Sequence, residues 1–191
     1  MSVYVLAVLI AVALGGCKKK PSALLVDAAP PPSFADKKLA DAGIEIDELW
    51  KRAVQGDPID LGALADREGA AGLLAGVEQG GDLGVAALHA LPYADDASVA
   101  LRRLGEIALQ TDGAVQKDVV DVVERIAARP PTQTEVLDAT GARACADALL
   151  EISRKSGISK ETRSRAISAL RLLADQLVVD PSQIPTDLDE K

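Results

Sequence analysis

The sequence predicts an all-α protein, and three observations carry that expectation. From about Asp36 onward apolar residues recur at i, i+3, i+4, i+7 and i+8, the period of one buried helix face. Aromatic residues make up only 2% of the chain, within a hydrophobic share of 48% that is rich in Ala, Val and Leu. Strands favour β-branched and aromatic residues together, whereas Ala and Leu with few aromatics suit closely spaced helices. Finally, no stretch of strand length alternates apolar and polar residues. Gly43-Ile44-Glu45-Ile46 comes nearest, but it is short and runs into a helix.

Each helix has readable ends. Ile46, Leu49, Trp50, Ala53 and Val54 mark the first, which Gly56 closes. Asp57-Pro58 opens the next with a cap and a first-turn proline. Leu73, Leu74 and Val77 form a stripe that ends at Gly80-Gly81. Asp82 is expected to cap a helix bearing Ala87, Leu88 and Leu91 before Pro92. Asp95 or Asp96 is expected to start one with Leu101, Leu104, Ile107 and Ala108. Thr111 or Asp112 should start another with Val115, Val119, Val122 and Ile126, broken by Pro130-Pro131. Two longer helices follow. One carries Ala144, Ala148, Leu149 and Ile152 and stops near Gly157; the other starts near Ser159 and carries Ile167, Leu170, Leu173, Ala174 and Leu177.

The connections are short, which sets neighbouring helices antiparallel. Such pairs can stack as a solenoid or close as a bundle. Val85–Leu91 (VAALHAL) is partly echoed by Val99–Leu104 (VALRRL), with an Asp-rich turn between. This resembles HEAT or armadillo-like repeats over residues 58–128, with 140–178 as a further pair. The resemblance implies a short solenoid, in which no pair covers its own apolar face and neighbours must stack. A closed helical bundle is the alternative.

The N-terminus differs from the body. Residues 3–14 (VYVLAVLIAVAL) carry no charge. Twelve residues make a helix of about 18 Å against a bilayer core of roughly 30 Å, too short to span and suited to a secretory leader. Leu14-Gly15-Gly16-Cys17 follows at once and resembles the lipobox of bacterial lipoproteins. The resemblance implies cleavage of a signal peptide 1–16 and lipid attachment through the Cys17 thiol, with fatty acylation of the new amino group. It departs from the pattern in one respect: no Lys or Arg precedes the apolar run. A short uncleaved anchor, or a buried helix with a chance cysteine, are the competing readings. By the same resemblance, Lys18 rather than Asp after the lipidated position implies the outer membrane, facing the periplasm or the surface.

Residues 17–35 form a Lys/Pro-rich tether. Pro21 and Pro30-Pro31-Pro32 block helix, and at about 3.1 Å per residue the tether reaches roughly 55 Å. Lys18, Lys19 and Lys20 either lie against anionic headgroups or simply begin a solvated linker. Residues 36–180 are the expected helical repeat-like domain, and residues 181–191 a loose acidic tail.

Chemistry-bearing residues are sparse. The one histidine, His89, lies on a helix beside Leu88, and no G-x-S-x-G turn accompanies it. One His and one body Cys cannot make a Cys/His zinc site, and no D-x-D-x-D-G calcium loop occurs. Gly80-Gly81-Asp82-Leu83-Gly84 lacks the Lys-Ser/Thr of a phosphate cradle. No catalytic residue, metal site or cofactor is therefore expected. Cys145, among small residues in ARACADALL, reads as a buried hydrophobe. Arg102, Arg103, Lys160, Arg163, Arg165 and Arg171 read as solvated faces paired with nearby carboxylates, or as contacts for an acidic partner. A net charge of -8 and so few aromatics disfavour nucleic acid.

The expected role is thus non-catalytic: a membrane-anchored lipoprotein acting as a protein-interaction or scaffold module in the bacterial envelope, with membrane lipid held through Cys17 and a protein or peptide partner. The alternative is a carboxylate-based envelope enzyme or small-ligand binder, which would need a deep pocket holding two buried carboxylates.

Overall fold

A computed structural model describes residues 44–129, 138–176 and 178–186. The leader 1–16, Cys17, the tether 17–35, residues 36–43, Pro130-Pro131, Leu177 and residues 187–191 lie outside the described residues.

The described residues form seven α-helices and three short 3-10 turns, with no strand among them. Helix α1 spans Ile46–Ala53, α2 Pro58–Gln79, α3 Gly81–Ala90, α4 Leu101–Gln110, α5 Gly113–Ala127, α6 Ala139–Arg154 and α7 Lys160–Asp175. Several ends follow the expected chemistry. The Asp57 carboxylate accepts the Ile59 N–H, with Pro58 in the first turn. Ser159 accepts the Thr162 N–H at the start of α7. Gly56, Gly80 and Gly157 all take positive φ, the backbone that L side chains disfavour.

The helices pair and the pairs stack. Helix α2 packs on α3, α4 on α5, and α6 on α7. Across pairs, α4 packs on α6 and α5 on α7; residues 97–100 and 91–93 join the first pair to the second. Helix α1 lies over α2 and α3. No comparable packing joins α1, α2 or α3 to α6 or α7 among the described residues. Among the described residues the main packing therefore runs from pair to pair.

Small residues permit this spacing. A Cβ on Gly105 of α4 would lie 2.9 Å from the Cα of Cys145 on α6, so the two helices meet almost backbone to backbone. A Cβ on Gly76 would lie 2.7 Å from the Trp50 ring, which seats α1 on α2. The core is mostly Leu, Ala and Val, with Leu64, Leu73, Leu104, Leu149 and Leu170 fully buried.

Five local expectations need correction. Asp82 makes no cap; Gly80 holds that position, and Asp82 sits in the first turn of α3. Ala144 is exposed and Cys145 takes the buried place. Val115 is 55% exposed, because Gln116 occupies the inward position and donates to the carbonyls of Ala108 and Thr111. Thr111 closes α4 by donating to the Ile107 carbonyl and caps nothing downstream. Lastly, the loose tail expected from residue 181 begins as a docked turn over Pro181–Gln183, with Ile184 only 9% exposed.

Candidate functional site

Cys17, the one site residue the sequence singles out, lies outside the described residues. The remaining candidates fall into structural roles. His89 is half-buried on α3. Cys145 is fully buried, and that burial pushes its thiol up to about 12, only partly offset by a hydrogen bond with the Gly105 backbone. Such a thiol carries no nucleophile at neutral pH. Among the described residues no three His, Cys, Asp or Glu side chains gather as metal ligands would.

The Asp95-Asp96 pair shows how a carboxylate can be read correctly in kind and wrongly in place. Asp96 makes no side-chain bond to the turn that follows it. Instead its Oδ1 accepts the backbone N–H of Ala70, 2.8 Å away and 26 residues earlier. Helix α2 breaks at Gly69, whose φ is 63°, and Ala70 begins its second half. Asp96 thus caps an internal helix restart from the connection that leads into the next pair.

The basic residues are largely paired, as the sequence suggested. Arg103 bonds Glu78 across pairs and Glu106 along α4, both at 2.9 Å. The Glu106 hydrogen bond holds the Arg103 guanidinium above its ordinary pKa, and the Arg103 hydrogen bond holds the Glu106 carboxyl below its own. Arg165 of α7 pairs with Asp121 and Glu124 of α5. Arg125 stacks over the Tyr93 ring, 5.4 Å from its centroid, and Arg129 donates to the carbonyls of Pro92 and Ala94. These bonds tie pairs together.

Two recesses lie among the described residues. One, of about 260 Å³, lies between the N-terminal ends of α5 and α7, beside Asp112, Gln116, Lys117, Ser159 and Thr162. Four of its polar side chains are engaged: Gln116 with two carbonyls, Lys117 with Glu161, and Ser159 with Thr162. The other, of about 510 Å³, is an open trough along α6 beside Asp147, Leu150, Glu151, Arg154 and Lys155. Neither holds a pair of buried carboxylates. Among the described residues Asp60 is the buried acidic side chain, and Arg52 pairs with it.

Sequence reasoning missed the segment beside that trough. Residues 178–186 return across the end of the last pair. Val178 and Ile184 are buried, and Arg154 donates to the Gln183 carbonyl at 3.1 Å. The only sequence signal was three aliphatic residues, Val178, Val179 and Ile184, in an otherwise polar, proline-broken segment. No described helix is long and apolar enough to cross a membrane. Compared with known proteins, the chain matches no family model, no curated protein and no solved structure.

Proposed function

We propose that this protein is a lipid-anchored scaffold of the bacterial envelope: a HEAT-like helical stack tethered through Cys17 and working by protein contact without catalysis. The observation that carries the reading is Cys17 itself, set behind two glycines at the end of an uncharged 12-residue run. A leader of that length positions a peptidase, and a thiol there is the nucleophile for a diacylglycerol. Two acyl signals then anchor far more durably than one chain. The proline-rich tether of roughly 55 Å would hold the stack off the lipid surface, where its open sides can meet partners. The absence of Asp after Cys17 favours the outer membrane.

The described body is compatible with this role. Its conspicuous arginines, buried polar side chains and single body thiol serve packing, and a stack of pairs offers extended faces for a protein or peptide. Feeding labelled fatty acid to the native host tests the anchor. The unaltered protein should take up label and lose residues 1–16 by mass, and Cys17→Ser should do neither. Label retained in Cys17→Ser, or an unaltered protein that keeps its first sixteen residues, overturns the anchor. Crosslinking in intact cells tests the scaffold, with recovery of specific neighbours expected.

A further inference from the structure

We propose that the end of the stack around Arg154 is a peptide-binding surface, and that the protein's own residues 178–186 occupy it as an autoinhibitory strap. The partner it fits is an extended, proline-containing peptide with two aliphatic anchors about six residues apart.

The strap is seated as a bound peptide would be. It leaves α7 where the Val178 N–H donates to the Leu173 carbonyl at 3.1 Å. Its backbone is extended at Asp180 (φ -72°, ψ 121°) and at Ile184 (φ -78°, ψ 127°), on either side of a single turn. Val178 and Ile184 are its buried side chains, 8% and 9% exposed, and both join the main apolar cluster. Between them Arg154 grips a main-chain carbonyl, that of Gln183. A side chain that reads backbone together with two apolar anchors is how extended peptides are held elsewhere. Pro181 and Pro185 bias the residues before them, Asp180 and Ile184, toward extended backbone, so the segment is held in shape at little entropic cost.

Two features point to release. The anchorage is slight compared with that of a helix pair: two buried side chains, the half-buried Val179 and one cross-bond. The strap also leaves room, because the trough of about 510 Å³ along α6 shares Arg154 with it and carries Leu150 on its wall. A longer peptide could keep the strap's contacts and extend into that volume. Attached to the chain, the strap competes at an effective concentration on the order of millimolar, which keeps the surface closed to weak ligands. The inference rests on the scaffold reading, but the two fail separately, since the fatty-acid label reports only on Cys17.

The test uses a fluorescent peptide of residues 178–186 and the full chain. Ile184→Asp, or the milder Ile184→Ala, should loosen the strap and bind the peptide at least ten-fold more tightly than the unaltered chain. Adding Arg154→Ala should reverse that gain. In the unaltered chain, hydrogen exchange at Gln183 and Ile184 should run well ahead of exchange in α6 and α7. Folded Ile184 variants that bind no better than the unaltered chain would overturn the proposal. So would strap amides that exchange only together with α6 and α7, a result that decides the matter even if both variants lose their helix content.

Discussion

At the residue scale, two glycines of similar sequence context should respond to the same change with opposite sign. Gly105→Ala places a methyl 2.9 Å from the Cys145 Cα and 3.3 Å from the Ala148 Cβ. The nearer atom is backbone, so helices α4 and α6 must separate. Overpacking of this kind costs about 1–3 kcal/mol, more than the helix-propensity gain of up to about 1 kcal/mol offsets. Gly62→Ala in α2 meets nothing within 4 Å and should gain about 0.5–1 kcal/mol. Urea denaturation of both variants measures the difference, and equal signs would mean that the α4–α6 contact is looser than described. Asp96 gives a second case. Asp96→Ala strips the acceptor from the N–H of Ala70, a fully buried residue, and should cost about 1–2 kcal/mol. Asp96→Asn keeps an oxygen there and should cost less. Asp95→Ala, at an exposed neighbour, should stay within about 0.5 kcal/mol of the unaltered chain.

At the element scale, the strap carries its own pH signature. The Ser182 backbone N–H bonds Asp180 at 2.9 Å, and its backbone and side-chain bonds hold the Asp180 carboxyl below its ordinary value of 3.8. A depressed folded pKa means the ionised form favours the docked turn. Its contribution is complete above the unfolded value and is lost as pH falls through the lower folded one. Exchange at Ser182 should therefore speed up only below about pH 3.8 relative to neighbouring amides, and Asp180→Asn should remove that inflection. A Ser182 amide indifferent to acid would show that the cap does not hold the turn. Elements also mark where the sequence was legible. Asp57-Pro58, Gly80 and Ser159 act on residues one to three places away, so local pattern reveals them. Asp96 acts 26 residues back and Gln176 reaches 49 back to the Ala127 carbonyl. Such pairings depend on which helices stack, and a one-dimensional pattern does not carry that. Gln116 misled for a related reason. A polar residue buried by two carbonyls breaks the rule that apolar residues alone mark the inner face.

At the scale of the whole molecule, the stack is uneven in charge. Residues 44–129 hold 16 carboxylates against 8 cations, while residues 138–186 hold 6 against 7. The ends of the stack are therefore unlike, and the architecture makes them unlike in stability too. In a pairwise stack each pair is held by its own contacts and those of its neighbours. The α4/α5 pair has a neighbour on both sides, whereas α6/α7 has one, plus the strap. Opening the last pair removes contacts with α4, α5 and the 97–100 turn, and leaves α1, α2 and α3 covered. Native-state hydrogen exchange should then show α6 and α7 opening at a lower free energy than α4 and α5. Leu170→Ala, at a fully buried position, should cost α7 and α6 about 2–5 kcal/mol and leave protection in α2 and α3 nearly unchanged. Leu104→Ala in the central pair should lower protection across the whole stack. A closed bundle behaves differently, because every helix there borders the same core and one substitution lowers all amides together. If Leu170→Ala reduces protection in α2 and α3 as much as in α7, the molecule opens as a single unit and its pairs do not act as a stack.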